Sequence, residues 1–292
     1  MKILVTGAAG QLGAELCGLL GNDAIGVDID TLDLTDRPAV CKTLAQLKPA
    51  VVVNCAAYTR VDRAESEPAM CRAVNATAVE HLAEACGLLD CPLVQISTDY
   101  VFGGPPGPRQ PHREDEPTAP QGVYARTKLE GERAAARHAK HLIVRTCGLY
   151  ARPSHEQAHN FVKTILRLAR SRDTLRVVAD QHCTPSYVPD VARAVLFLAG
   201  VDRAAPAPWG IYHVTNRGAT TWYAVASEIV RLAGYKTTVE AITTAEYPLP
   251  APRPAYSVLD TTAYDRLGGP AMPDWKAALA EYFLELKRLP GP

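Results

Sequence analysis

Tyr124 and Lys128 stand four residues apart in Val123-Tyr124-Ala125-Arg126-Thr127-Lys128, a stretch that reads as helix, so both side chains lie on one face. A cation near a Tyr hydroxyl favours phenolate and lowers a pKa that is otherwise about 10. Such a phenol can exchange a proton with a substrate oxygen near neutral pH. Taken alone, a Tyr and a Lys one turn apart are most often surface decoration. Upstream, Ser97-Thr98-Asp99-Tyr100 closes an apolar run. Thr98 therefore sits at a strand end, where its hydroxyl serves either a ligand or nearby backbone groups.

These side chains need a scaffold that gathers them. Residues 2–5 read as a buried strand, followed by Gly7-Ala8-Ala9-Gly10-Gln11-Leu12-Gly13 and a helical run. Glycines between strand and helix let the backbone approach a pyrophosphate, which then lies on the helix N-terminus. A second strand at 24–27 ends at Asp28, about 20 residues past Gly7, where a carboxylate would bind the adenosine ribose. Asp30 and Asp33 are alternatives for that role. A third strand at 51–54 runs into the small residues Cys55, Ala56 and Ala57, which leave room for a cofactor. An amphipathic helix at 70–89 and strands at 93–96 and 142–146 continue the rhythm of a parallel sheet with ligands outside its carboxyl edge. Residues 103–122, rich in Pro and Gly, form a loop joining the Thr98 strand to the Tyr124 helix.

The expected fold is α/β, a Rossmann-type doubly wound parallel sheet with a smaller substrate-binding lobe. Residues 1–150 and about 175–215 are assigned to the dinucleotide-binding domain, and 151–174 and 216–292 to the lobe. Within these, helices are expected at 160–171, after Pro189 and at 222–233, and strands at 175–178 and 211–214. At 292 residues with 47% hydrophobic content, such a chain buries a sizeable core. Lys plus Arg equals Asp plus Glu at 31 each, which argues against nucleic acid or an anionic membrane as a partner. No segment approaches the roughly 18 apolar residues of a membrane span, and the eight cysteines lack any CxxC. A cytoplasmic monomer or homodimer with no metal site is expected.

With Gly7, Gly10, Gly13, Thr98, Tyr124 and Lys128 in place, the chain resembles the extended short-chain dehydrogenase/reductases, and more narrowly the dTDP-4-dehydrorhamnose reductase family. The marks are GAAGQLG at 7–13, NCAAYTRVDRAESEP at 54–68, STDYVF at 97–102, VYARTKLEGE at 123–132, NFVKTILRLA at 160–169 and RPAYSVLD at 253–260. The resemblance implies NADH or NADPH as cofactor and a nucleotide sugar as substrate. It implies that Tyr124 protonates the C4 alkoxide left by hydride transfer, that Lys128 tunes Tyr124 and binds the nicotinamide ribose, and that Thr98 hydrogen-bonds the same oxygen. Expected cofactor contacts are Gly7, Gly10, Gln11, Leu12, Gly13, Asp28, Asp33, Leu34, Ala56, Ala57, Tyr58, Tyr124 and Lys128. Expected substrate contacts are Thr98, Asp99, Tyr100, Asn160 and Arg253. A different deoxysugar enzyme of the same fold, such as an epimerase or dehydratase, is the alternative. A noncatalytic subunit is another, although such a relative would be expected to lose the Tyr/Lys pair or Thr98.

The sequence departs from the family near the expected sugar. Gly148 stands where a Trp is usual, Gly122 where Asn precedes Val-Tyr, and His182-Cys183 follows Asp180-Gln181. The loop at 151–159 is longer than usual. Loss of an indole at 148 leaves a wider pocket unless Tyr150, His155 or His159 refills it. Some relatives join subunits through a carboxylate-bound cation; Glu15 matches one such position, but Pro189 offers no ligand atom at another, although Asp190 is adjacent. Asp28, with no Lys or Arg after it until Arg37, favours NADH over a 2′-phosphorylated cofactor.

Overall fold

A computed structural model describes residues 1–292 apart from 105–108, 156–158, 202–204 and 290–292. The strands are β1 (Ile3–Thr6), β2 (Ala24–Val27), β3 (Val51–Asn54), β4 (Leu93–Thr98), β5 (His141–Thr146), β6 (Leu149–Tyr150), β7 (Thr174–Val178), β8 (His182–Cys183), β9 (Ser186–Tyr187), β10 (Gly210–His213), β11 (Thr220–Thr221) and β12 (Thr238–Ile242). The helices are α1 (Gln11–Leu20), α2 (Arg37–Leu47), α3 (Val61–Ala64), α4 (Pro68–Arg72), α5 (Ala78–Leu89), α6 (Gly122–Ala135), α7 (Phe161–Ala169), α8 (Val188–Ala199), α9 (Trp222–Ala233), α10 (Thr262–Asp265) and α11 (Trp275–Arg288).

Short runs of Val, Ile and Leu become central strands because both faces of a parallel sheet are covered. The six-stranded sheet has the order β10-β5-β4-β3-β1-β2, with every pairing parallel. Side chains alternate strictly between its faces. Ile3, Val5, Val51, Val53, Val94, Leu142 and Val144 join α1 and α8 in one core, while Leu4, Val52, Leu93 and Ile143 join α2, α5 and α6 in the other. A third core lies apart, where Tyr150, Val162, Leu175, Val225, Ile229, Leu279 and Tyr282 pack α7, α9 and α11 together.

Two expected assignments need correction. β7, expected in the dinucleotide-binding part, instead pairs in parallel with β12 and buries Leu175 and Val177 in the third core. Conversely, Tyr264 and Met272, expected in the lobe, are buried in the main core beside α8. The 216–292 segment thus crosses between layers, since its apolar residues fall on two separate faces.

The helix expected at 70–89 begins at Pro68 and carries a π-turn at Ala73–Thr77 between α4 and α5. The bulge directs Asn75 sideways, where its Nδ2 donates to the Tyr58 carbonyl at 3.2 Å and to Thr127 Oγ1 at 3.2 Å. At the crossing with α6, a Cβ on Gly131 would lie 2.1 Å from the Asn75 carbonyl oxygen, so only glycine allows this approach.

Candidate active site

A cavity of about 960 Å³ runs along the carboxyl edge of the sheet. Reading the strands from the β2 edge inward gives its wall in order: Asp28 after β2, Gly7 after β1, Cys55 and Ala56 after β3, Thr98 on β4 and Thr146 on β5. All thirteen expected cofactor contacts, from Gly7 to Lys128, lie on this wall. Asp28 and Asp33 line it, whereas Asp30 does not. Asp28 Oδ2 accepts from the Ala9 amide at 2.8 Å, which ties the end of β2 to the glycine turn. Asp33 accepts from the amide and hydroxyl of Thr35 at 2.8 and 2.7 Å, and these bonds hold its carboxyl below the usual range.

The glycine turn fits a dinucleotide for steric reasons. Gly7 sits at φ +64°, and a Cβ there would lie 2.7 Å from the Ala56 amide nitrogen. A Cβ on Gly13 would lie 2.1 Å from the Gly7 carbonyl. Bare backbone is therefore forced at the N-terminus of α1, where free N–H groups and the helix dipole could receive a pyrophosphate. Lys128 is the only Lys or Arg among the described residues lining the cavity.

At the inner end, Thr98, Tyr124 and Lys128 converge. Thr98 Oγ1 accepts from the Tyr100 amide at 3.2 Å and donates to Asp99 Oδ1 at 3.1 Å. The Tyr124 phenol is pushed up by desolvation, with the neighbouring Thr98 hydroxyl pulling the other way. The lowering expected from Lys128 is not the dominant effect, because the Lys128 Nζ is drawn to the Ile96 carbonyl at 2.6 Å. Lys128 is itself 4% exposed, and burial lowers its pKa to about 8, opposed by the charge of Glu132.

Sequence reasoning missed what fixes this end. Ser97 Oγ donates to Glu132 Oε1 at 2.5 Å, and Arg145 binds both oxygens of Glu132 at 2.9 and 2.8 Å. This buried pair joins β4, α6 and β5, the three elements bearing Thr98, Lys128 and Thr146. Glu132 lies one turn beyond Lys128, a spacing that could have flagged it. The 54–68 motif is similarly wired. Asn54 links Thr6 to Gln95, Tyr58 donates its hydroxyl to Glu67 at 2.6 Å, and Glu65 accepts from the Val123 amide at 2.7 Å at the start of α6.

The expected substrate contacts other than Thr98 lie outside the cavity lining. Asp99 is 2% exposed, its carboxyl raised by burial, and it accepts from Ser257 Oγ at 2.5 Å, so it is an internal tie and not a free ligand group. Asn160 caps α7 by accepting from the Lys163 amide at 3.0 Å and donates to Gln11 Oε1 at 2.9 Å, joining α7 to the glycine turn. Tyr100 packs edge-on to Tyr124 at 5.7 Å and lies beside Arg253, whose charged form it favours. Arg253 in turn grips Asp62 through its two terminal guanidinium nitrogens, at 2.5 and 2.7 Å.

The departures resolve differently from expectation. Gly122 lies at φ +75°, a region that Asn tolerates better than most residues, so its identity answers to backbone shape. Gly148 does not leave an open wall. Its φ is +53°, and a Cβ there would meet the Trp222 indole at 2.9 Å and Pro185 at 3.2 Å. The indole arrives from the start of α9 and packs on Phe161 at 4.7 Å. His155 and His159 also line the cavity, whereas Tyr150 is buried against Tyr187. Residues 105–108 and 156–158 of the two expected loops lie outside the described residues. Glu15 is bound by Arg152 Nε at 2.9 Å, and the same guanidinium binds Glu285; Asp190 is paired with Arg193 at 2.5 Å. These carboxylates already have cationic partners, a donor set that does not suit a divalent metal.

A parallel nucleotide-binding sheet with Thr98, Tyr124 and Lys128 over its carboxyl edge defines an extended short-chain dehydrogenase/reductase. The family described as RmlD substrate binding domain matches residues 1–288. The chain belongs to the dTDP-4-dehydrorhamnose reductase family. It is 45% identical to a dTDP-4-dehydrorhamnose reductase of Streptomyces griseus, over 99% of this chain and 97% of that one. It is 40% identical to a protein of Streptomyces antibioticus named a probable dTDP-4,6-dihydroxy-2-methyloxan-3-one 4-ketoreductase, over 98% and 96%. The crystal structure of a Bacillus anthracis dTDP-4-dehydrorhamnose reductase in complex with NADP superposes with a TM-score of 0.90 at 35% identity, over 98% of this chain and all of that one.

Proposed function

We propose that this chain reduces the C4 ketone of a dTDP-4-keto-6-deoxyhexose, dTDP-4-dehydrorhamnose to dTDP-L-rhamnose, at the expense of NADH or NADPH. The observation that carries the reading is the Thr98–Tyr124 hydroxyl pair, with Lys128 beside it, at the inner end of a cavity that begins at Asp28. A bound nicotinamide cofactor supplies the hydride. Tyr124 donates its phenolic proton to the oxygen that becomes negative, a group whose raised pKa keeps it protonated and available as an acid. Thr98 holds that oxygen by a hydrogen bond, which stabilises charge as it develops. Lys128, fixed by the Ile96 carbonyl, presents its remaining donors to the nicotinamide ribose and supports the phenolate that forms.

Arg253 is the side chain suited to the diphosphate, since a guanidinium binds phosphate oxygens in a bidentate way. In doing so it exchanges Asp62 for the ligand. Asp28, with no cation on the wall beside it, supports use of NADH at least comparable to NADPH, and a more than tenfold preference for NADPH in kcat/KM contradicts this assignment. The smaller lobe, built on α7, α9 and α11, covers the sugar side.

A second reading, reduction of another dTDP-4-keto deoxysugar, is favoured by the Trp222 indole over Gly148, which shapes this side differently from an indole on the strand end. The test is NAD(P)H oxidation by the purified protein with dTDP-4-dehydrorhamnose, its C-epimers and UDP-linked 4-keto sugars. Turnover of dTDP-4-dehydrorhamnose as the best substrate supports the first reading; preference for an epimer supports the second. No NAD(P)H consumption with any of them removes both.

A further inference from the structure

Tyr124 lies in the first turn of α6, where a helix presents N–H groups that have no partner within the helix. Gln121, the residue before α6, gives them no side-chain acceptor. Glu65 takes that place from 58 residues away, its Oε1 accepting from the Val123 amide at 2.7 Å. That amide belongs to the second residue of the helix, one of those that a capping side chain ordinarily serves. A carboxylate suits the position, because the N-terminal end of the helix dipole favours negative charge. A Cβ on Gly122 would lie 2.8 Å from the same oxygen, so the carboxylate is seated directly against the first residue of α6.

The later turns of α6 are held by other means. Asn75 donates to Thr127 Oγ1 at 3.2 Å, Lys128 Nζ donates to the Ile96 carbonyl at 2.6 Å, and Glu132 is paired with Arg145 at 2.8 Å. All three anchors lie C-terminal to Tyr124. On its N-terminal side the contact is Glu65, made at the adjacent residue. Glu65 is itself held in place: Ala64 before it is fully buried, and Asp62, three residues back, accepts from the Ala251 amide at 3.2 Å and from Arg253 at 2.7 Å. Pro252 completes the group, with its Cδ 3.2 Å from the Cβ position at Gly122. Three separate stretches of chain thus meet at the entry to the helix that carries Tyr124.

We infer that Glu65 is a positioning residue for proton transfer: by holding the first turn of α6 it sets the Tyr124 hydroxyl against Thr98 and the oxygen to be protonated. Glu65 does not line the cavity, so it acts through Tyr124 and not on the reactants. The inference rests on the reading of Tyr124 as the acid. A misplacement of about 1 Å at a reacting group costs on the order of a hundredfold in rate, so even a slight loosening of this turn is measurable.

The experiment is a double-mutant cycle on the single-turnover rate of NADH oxidation with dTDP-4-dehydrorhamnose, alongside calorimetric titration with NADH. Glu65→Ala is expected to slow the single turnover about tenfold and to leave the NADH dissociation constant within about twofold. Glu65→Gln, whose amide oxygen can still accept from Val123, recovers the rate to within about threefold. In the Tyr124→Phe background Glu65→Ala costs less than about twofold, because its effect runs through the hydroxyl already removed. Glu65→Asp keeps the charge on a side chain one methylene shorter and slows the reaction in the same sense; it replaces Glu65→Ala in the cycle if that variant does not fold. An unchanged rate in Glu65→Ala, or in the Asp variant that replaces it, overturns the inference alone. So do a Glu65→Gln protein as slow as Glu65→Ala, an equal loss repeated in the Tyr124→Phe background, and a loss of NADH affinity that matches the loss of rate. Full activity in Tyr124→Phe, or no NADH oxidation by the unsubstituted protein, overturns the inference and the proposed function of Tyr124 together.

Discussion

The two ends of the catalytic cleft are built differently. The wall assigned to the cofactor comes from residues directly following β1, β2, β3 and β4, each within a few positions of its strand. Its geometry is imposed by backbone sterics, as at Gly7 and Gly13. The side assigned to the sugar nucleotide draws on Tyr100, Gly148, Asn160, Trp222 and Arg253, far apart in the chain, and most of these already have protein partners. On the proposed assignment, one end is a preformed cradle, while the other would exchange internal contacts for ligand contacts. Substitutions should therefore separate: cradle and proton-transfer residues act on cofactor binding or kcat, and exchange residues act on KM for the sugar nucleotide.

Tyr124→Phe gives the largest effect. It is expected to lower kcat on the order of a hundredfold or more with NADH affinity within about twofold, measured by steady-state kinetics and calorimetry. Full activity would place the proton donor elsewhere. Arg253→Met should raise KM for the sugar nucleotide about tenfold or more, the scale of a lost charge-assisted pair, and leave the NADH dissociation constant unchanged. An equal effect on both ligands would erase the distinction between the two ends.

Lys128 makes a smaller, pH-dependent contribution. Its pKa in the free protein is lowered to about 8 by burial, so it is cationic below that pH and loses its charge above it. NADH binding to the free protein should weaken severalfold between pH 7 and pH 9, and Lys128→Met should bind weakly with little slope across the same range. A slope unchanged in Lys128→Met would assign the titration to another group. Smallest is the effect of chelation. Because Arg152 already bridges Glu15 and Glu285, activity should be unaffected by EDTA. A loss restored by Mg²⁺ would show that the Arg152 cross-link does not serve in place of a cation.

The cradle was legible because each of its signals is local: a glycine spacing, an acid at a strand end, small residues after Asn54. Thr98, Tyr124 and Lys128 were legible for the same reason. The sugar side was only partly so. Asp99 belongs to a recognisable motif yet is an internal tie to Ser257, a contact made across the fold. Gly148 suggested an empty wall, and Trp222, 74 residues later, occupies the space. An indole introduced by Gly148→Trp would meet strain at φ +53° and collide with Trp222; it would disturb this wall and would not narrow a vacant pocket. The lobe boundary failed because β7 finds its partner in β12, 60 residues on, and no strand pattern announces that pairing.

Isotope placement tests the central claim most directly. The purified protein is incubated with dTDP-4-dehydrorhamnose and NADH or NADPH carrying deuterium at the transferable C4 position, and the product is read by proton NMR. The account predicts stoichiometric cofactor oxidation, deuterium at C4 of the sugar alone and a dTDP-L-rhamnose product. Oxidation without label at C4, or product formed without cofactor oxidation, would contradict it.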